Sequence, residues 1–113
     1  METFHLKYRD TLPILDVYLL NPDGTAFDLT NSTAWKLHIR VGSVVVTRDM
    51  TKVAPDTEGH LRYAWVTTDW DAGNLTTGSH PMEYEVIGPS AARITFPNDA
   101  EDRLLIRADV GQG

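Results

Sequence analysis

Residues 35–41 read Trp35-Lys36-Leu37-His38-Ile39-Arg40-Val41, an alternation of apolar and polar side chains. Successive side chains of a β-strand point to opposite faces, so this stretch predicts a strand with one buried face and one solvated face. The same period of two residues recurs in three other stretches, Leu61–Trp65, Met82–Val86 and Leu104–Val110. Strands that are buried on one face only are typical of antiparallel sheets, which we therefore expect here.

Four weaker apolar stretches lie between these segments, at residues 4–8, 14–20, 44–47 and 92–96. We expect the third to pair back on residues 35–41 across Gly42-Ser43, and the fourth to pair with the Met82 strand through Gly88-Pro89-Ser90. The best helical candidate, residues 67–75, is short and broken by glycine, so a single turn is the most it can form. About seven to nine short strands separated by turns predict an all-β sandwich.

The first thirty residues carry the clearest turn and edge signals. Pro13 has no N–H to give to a strand ladder, so its strand is expected to lie at a sheet edge or to begin there. Asn21-Pro22-Asp23-Gly24 is typical of a tight turn, because proline presets one φ angle and glycine accepts a positive one. We expect this turn to lead into a short return strand at Asp28-Leu29-Thr30.

Composition limits the classes of function. The 113 residues, 42% of them hydrophobic, suit a single domain spanning residues 1–113. The formal net charge of −6 argues against nucleic-acid binding, which needs a clustered basic face. The absence of cysteine excludes disulfides, zinc–thiolate sites and cysteine nucleophiles. No signal peptide or membrane-spanning stretch is recognisable, so we expect a soluble product with no membrane partner.

Catalytic and metal-binding patterns are not recognisable either. The chain has no Gly-x-Ser-x-Gly elbow and no glycine-rich phosphate loop before a helix. Its four histidines lie far apart on separate predicted strands, which is atypical of zinc ligands. Glu83 and Glu85 share a strand face, where a solvated face or ion pairs with Arg62 or Arg93 are expected. We therefore predict no catalytic, cofactor-binding or metal-binding residue.

The loop that contains Asp69 and Asp71 leaves two interpretations open. Carboxylates at alternate positions are typical of the start of a calcium loop. The twelfth position of such a loop, counted from Asp69, is His80, which cannot supply the bidentate glutamate. A solvated turn, in which aspartate binds its own backbone, is favoured, and the same is expected of Asp23 and Asp28.

The aromatic residues divide into two groups. Four fall on predicted inward faces and are expected in the core: Trp35, Tyr63, Trp65 and Tyr84. Trp70 differs, because it lies between two aspartates in a turn-rich loop. It is expected either to fold back over one end of the sandwich or to remain exposed, where it would anchor a protein or stack on a sugar.

The order of these motifs resembles that of small phage virion proteins related to the N-terminal domain of the baseplate upper protein of lactococcal-type siphophages. The similarity runs from Phe4 to Val110. The matching residues are Phe4, Asp10-Thr11-Leu12-Pro13, Asp23-Gly24, Asp28-Leu29-Thr30, Leu37 to Arg40, Gly59, Tyr63, Trp65, the Asp69/Asp71 loop, Tyr84-Glu85-Val86 and Thr95-Phe96-Pro97. The chain departs from the pattern in two places: Arg9 stands where many relatives have glycine, and the loop at residues 69–78 is longer than usual.

The resemblance implies an immunoglobulin-like antiparallel β-sandwich and a non-enzymatic structural role in a phage virion, made in the host bacterial cytoplasm. A tail or baseplate module that binds other virion proteins, in a homo-oligomer or ring, is expected. The candidate contacts are Asp10, Thr11, Leu12 and Pro13 at the predicted edge, together with Trp70. Two alternatives are a capsid decoration protein of the same fold and a carbohydrate-binding module that recognises host glycan through Trp70. No cofactor is expected.

Overall fold

The structure, a computed structural model, describes residues 3–71, 74–96 and 102–107. This part of the chain contains nine strands and three short 3-10 helices. The strands are β1 (Thr3–Lys7), β2 (Leu15–Tyr18), β3 (Ala34–Val41), β4 (Val44–Asp49), β5 (Thr51–Lys52), β6 (His60–Tyr63), β7 (Gly78–Ile87), β8 (Arg93–Phe96) and β9 (Asp102–Arg107). The helices cover Asp56–Glu58, Thr67–Trp70 and Pro89–Ala91. The predicted all-β sandwich is confirmed.

The strands form two sheets. The larger sheet has the order β1-β9-β7-β3-β4, and β8 lies beyond β9 along the same side of β7. The smaller sheet has the order β2-β6-β5. With β2 to β7 named B, C, C′, D, E and F, and β8 and β9 together named G, the large sheet reads G-F-C-C′ after β1 and the small sheet reads B-E-D. The sheets therefore present their edges at the terminal strands β1, β2, β4 and β5, and also at β8, which among the described strands pairs only with β7.

One pairing differs from the expected antiparallel pattern. β1 runs parallel to β9, from Thr3 beside Arg103 to Lys7 beside Arg107, whereas the other paired strands are antiparallel. The prediction of a purely antiparallel sandwich is wrong at this edge. The alternation of side chains indicates which face of a strand is buried, but it is the same in parallel and antiparallel pairs. The sequence therefore could not reveal this exception.

The core lies between the sheets and follows the predicted alternation. Leu37, Ile39, Met82, Tyr84 and Val86 are buried from the large sheet, and Leu15, Leu61 and Tyr63 meet them from the small one. Trp65 is buried just after β6, and Trp35 is partly buried against the cluster. The predicted end of the last strand, Ala108–Val110, lies outside the described residues, as do Gly73 and Pro97.

Turns account for several predicted boundaries. β4 pairs with β3 across Gly42-Ser43, and β8 pairs with β7 after Pro89–Ala91, both as expected. The helical candidate at residues 67–75 forms one short 3-10 helix, Thr67–Trp70. β2 begins two residues after Pro13 and is the edge of its sheet, which confirms the edge prediction.

The Asn21–Gly24 turn forms, but its return strand does not. Gly24 adopts a φ of 90° and Leu20 bridges to Ala26 at one isolated position. Farther along, the carboxylates of Asp23 and Asp28 accept bonds from the N–H and hydroxyl groups two residues on, at Thr25 and Thr30. These bonds lower the pKa of both carboxyls. Such local turns compete with a strand ladder, so the expected strand at Asp28-Leu29-Thr30 is wrong.

Gly59 provides a test of the packing between β6 and the Leu19–Phe27 segment. Its φ is 66°, and a Cβ at this position would lie 2.6 Å from the Leu19 carbonyl oxygen and 2.9 Å from that of Phe27. Gly42 has a similar φ of 62° but open space around it. We expect Gly42→Ala to lower the free energy of unfolding by about 1–2 kcal/mol through backbone strain alone, and Gly59→Ala to cost about 1–3 kcal/mol more. Urea denaturation of both variants measures the difference, and equal losses would contradict the tight packing.

Candidate functional site

The candidate contacts Asp10, Thr11, Leu12 and Pro13 lie in the connection at residues 8–14, which leads from β1 in the large sheet to β2 in the small one. All four side chains are exposed, and Leu12 retains 66% of its accessible surface. Both flanking strands are outer strands of their sheets. The structure therefore brings these residues together on one side of the sandwich, next to two strand edges that no other described strand covers.

Arg9 gives this connection its sharp start. Its φ of 73° is left-handed, a conformation that glycine adopts without strain and other residues adopt at a cost. The Asp10 N–H donates to the Lys7 carbonyl oxygen at 3.1 Å, which closes the turn. The guanidinium of Arg9 lies 5.5 Å from the centre of the Tyr8 ring, a cation–π distance.

Two open clefts flank β1. The first, about 520 Å³, lies between β1 and the connection, and Asp10, Leu12 and Pro13 line it together with Lys7 and Arg107. Thr11 is exposed without lining it. The second cleft, about 410 Å³, lies between β1 and β2. Both clefts combine apolar walls with charged side chains at the margin, a composition that fits a polypeptide segment.

An apolar strip, interrupted by the charged Asp16, continues from the connection along β2. Leu12, Ile14, Tyr18 and Leu20 are large apolar side chains that remain exposed. The sequence analysis identified Leu12 but missed the other three, because the alternation rule assigned residues 14–20 only to a strand. Exposure of Tyr18 follows from the register, in which it lies opposite His60 on the outer face of the small sheet. Its ring stacks on that histidine with 4.3 Å between centroids.

Trp70 is not a surface residue. It is 8% exposed and belongs to the core cluster, and its ring meets Tyr8 edge-on with 5.2 Å between centroids. The prediction of Trp70 as a partner contact is wrong, and the alternative that it folds back over one end of the sandwich is confirmed. A buried indole offers no face to a sugar, so the glycan interpretation loses the residue on which it depended. Through its contact with Tyr8, Trp70 instead packs against the first residue of the 8–14 connection.

Asp69 is buried as well, which corrects the favoured interpretation of its loop. Its carboxylate, 1% exposed, accepts hydrogen bonds from the Tyr63 hydroxyl at 2.8 and 3.0 Å and from Arg48 Nε at 2.6 Å. The backbone N–H of Val66 donates to it at 2.9 Å. The favoured solvated turn is therefore wrong for Asp69, although the carboxylate does bind the backbone of its own loop. Asp71 is exposed.

The same cluster shifts the acidity of its members. The hydrogen bond from Arg48 to Asp69 raises the pKa of the guanidinium above its usual value. Burial and the bond to Asp69 both raise the pKa of the Tyr63 phenol. Each group is thereby held in the protonated state that donates to the carboxylate. The arrangement is a structural ion pair across the sandwich, since all three side chains are engaged with one another.

A second polar cluster lies on the outer face of the small sheet. Asp16 Oδ1 accepts from His60 Nε2 at 2.7 Å and from Arg62 Nε at 2.9 Å. Burial acts to raise the pKa of Asp16, but the bonds from Arg62 and His60 outweigh it and lower the pKa below 3.8. Arg62 was expected to pair with a glutamate and pairs with Asp16 instead, whereas Arg93 does approach Glu85 at 3.5 Å.

The histidines and carboxylates of the described residues are not grouped as a metal site would require. Residues 3–71, 74–96 and 102–107 contain no group of three or more histidines and carboxylates placed to hold one ion. His38 lies between Thr47 and Glu85, and His80 Nε2 donates to the Thr76 carbonyl oxygen at 2.8 Å. Within the described ranges, no helix is long and apolar enough to cross a membrane.

Comparison with known proteins adds no family to this description. No protein-family model matches the chain, and no curated protein matches it.

Asp69→Asn tests the buried ion pair. Loss of the charge removes the partner of Arg48 and places an amide among groups that all donate, so we expect the free energy of unfolding to fall by about 2–4 kcal/mol. The measurement is urea denaturation followed by tryptophan fluorescence. The matched control is Asp71→Asn, an exposed position two residues away, which should change stability by less than about 0.5 kcal/mol.

The same variants decide the calcium interpretation. With Asp69 engaged by Tyr63, Arg48 and Val66, added Ca²⁺ should leave the melting temperature of the wild-type protein unchanged. A rise in melting temperature with Ca²⁺ that Asp69→Asn abolishes would contradict the structural assignment and restore a cation site.

Asp16 predicts a small loss of stability in acid. Because its folded pKa is lowered, its contribution is complete above the unfolded value of about 3.9 and disappears as the pH falls through the folded pKa. Exposure to solvent limits the effect to less than about 1 kcal/mol. Carboxyl NMR should show Asp16 titrating below pH 3.8, and Arg62→Gln should move that titration upward. A wild-type titration at or above the ordinary aspartate value would exclude the charged pairing.

Proposed function

We propose that this protein is a non-enzymatic structural component of a phage virion, an assembly or attachment module of the tail or baseplate. It acts through contacts with other virion proteins. Two features support the proposal: the resemblance in motif order from Phe4 to Val110, and a surface suited to protein contact. The observation that carries the contact role is the apolar strip formed by Leu12, Ile14, Tyr18 and Leu20.

The strip lies where a partner can reach two free strand edges. β1 and β2 are outer strands, and one cleft is lined by residues of both. Outer strands present N–H and C=O groups that an extended segment of a partner can pair with. Exposed apolar side chains beside such an edge add buried area when the partner docks, and exposed apolar patches mark protein interfaces in many proteins. The partner proposed here is another virion protein.

The cations around the first cleft favour an acidic partner segment. Lys7 and Arg107 lie side by side at the ends of β1 and β9, and Arg9 follows at the turn. Asp10 is the acidic residue among those that line this cleft. An extended segment that carries a carboxylate would bind against this wall with its apolar side chains on Leu12 and Pro13.

Incorporation into virus particles tests the proposal. The chain, produced in cells where the encoding virus assembles, should sediment with purified particles and be detected there by mass spectrometry. Leu12→Asp places a charge on the most exposed apolar side chain of the strip, so we expect incorporation to fall about tenfold or more while the fold persists. Ile94→Asp is the matched control, an exposed apolar side chain on β8 that should leave incorporation unchanged.

Three outcomes distinguish the parts of this proposal. Absence of the wild-type chain from purified particles would overturn the virion role. Equal incorporation of Leu12→Asp and wild type would overturn the strip as the contact surface. Immunolabelling that finds the chain on heads and not on tails would replace the tail assignment with capsid decoration.

A further inference from the structure

We propose that two copies of this chain associate edge to edge through β4, antiparallel about a two-fold axis, so that their large sheets join into one. The strand that pairs with the β4 edge is β4 of a second copy. β4 ends the large sheet on the side opposite β1. This inference therefore concerns a different surface from the apolar strip and does not depend on the virion role.

The β4 edge lacks the features that usually prevent two exposed strand edges from pairing. Among the described residues, no strand pairs with its far side. Its first four residues, Val44-Val45-Val46-Thr47, are uncharged and β-branched, with no proline and no lysine. Val45 remains 54% exposed on the outer face of the sheet. Soluble proteins usually protect an edge of this kind with charge, proline or a bulge, because otherwise it pairs with another chain.

The two charged residues of β4 are already neutralised within the chain. Arg48 donates to the buried Asp69 carboxylate, and Asp49 pairs with Lys36 from β3. Neither charge is left to repel an approaching copy. Although the whole chain carries a formal net charge of −6, charges separated by more than about 10 Å are largely screened at physiological ionic strength. The local balance therefore permits self-association.

The geometry of the β3–β4 hairpin determines which N–H and C=O groups of β4 are available to a second copy. In a hairpin with a two-residue turn, Val41 and Val44 exchange hydrogen bonds, and bonded pairs then recur at every second position. Val46 thus bonds to β3, whereas Val45 and Thr47 direct their N–H and C=O groups away from it. Arg48 Nη1 donates to the Thr47 carbonyl at 2.9 Å, in agreement with that direction. A carbonyl oxygen has two lone pairs, so one stays available to a partner.

One antiparallel register makes this strand complementary to itself. Centred on Val46, it places Val46 opposite Val46 of the second copy and Val45 opposite Thr47, while Arg48 faces Val44. The two Val45–Thr47 pairs are the ones whose backbone groups point outward, so they form the intermolecular hydrogen bonds. Opposed β-branched side chains stabilise antiparallel pairs, and no like charges face each other.

The opposite edge of the sheet is unsuited to the same role. β1 presents Lys7 on its outer face, and a charge of this kind commonly protects a strand edge from pairing with a second copy. Pairing of β4 with β1 of the next copy would extend without a two-fold axis, so these features favour a closed dimer over an open chain.

Two variants test the β4 edge. Thr47→Pro removes an N–H that points away from β3, which leaves the internal ladder complete, and Val45→Lys adds a charge on the outer face. In sedimentation velocity over a concentration series, the wild-type chain should form a species of twice 12.6 kDa. Both variants should weaken the dimer about tenfold or more. Val66→Lys, which alters a similarly exposed valine outside β4, should leave it unchanged.

Hydrogen exchange provides the site-specific measurement. The amides of Val45 and Thr47 should become protected as the dimer forms, and those of β1 should not. A wild-type chain that stays monomeric at every soluble concentration would overturn the inference, as would a larger assembly unaffected by Val45→Lys. If Thr47→Pro does not fold, Val45→Lys and the exchange data decide. A dimer through β4 in a chain absent from virus particles would leave this inference standing and overturn only the proposed function.

Discussion

The buried carboxylate of Asp69 is the interaction on which the arrangement of this sandwich depends. It ties together Arg48 from the large sheet, Tyr63 from the small sheet and the backbone at Val66. A buried carboxylate without partners would lower the free energy of unfolding by several kcal/mol, so this fold requires the three donors. Because the donors come from both sheets and from the loop, the interaction fixes the sheets relative to each other at that end of the molecule.

The burial of Asp69 also helps to position the exposed connection at residues 8–14. Trp70 follows Asp69 directly and is buried against Tyr8, the residue where the 8–14 connection begins. Arg9 then reverses the chain and Asp10 closes the turn. The predicted contact residues from Asp10 to Pro13 are exposed, but they directly follow a segment that is packed against the core. A docking segment held in this way loses less conformational entropy when a partner binds.

The sequence predicted those features that depend on neighbouring residues. Alternation identified β3 and β7 and the faces that they bury, because side-chain direction is a property of the strand itself. Trp70 and Asp69 were harder to predict, since a tryptophan between two aspartates in a polar loop has the composition of a surface turn. The partners that bury Asp69 lie 3, 6 and 21 residues away. Only the assembled sheets show that these groups meet, and for the same reason the parallel direction of β1 was missed.

The parallel pair of β1 and β9 also shapes how the chain reaches its fold. β1 precedes the other described strands in sequence, and its ladder partner among them is β9, which follows all the others. Contacts between residues so far apart close a large loop, which slows folding of β-rich domains. The β1 edge of the large sheet therefore forms only once β9 is available to pair with it. Until then Phe4 and Leu6 lack their ladder neighbours Leu104 and Ile106, so we expect this edge of the sheet to be completed late in folding.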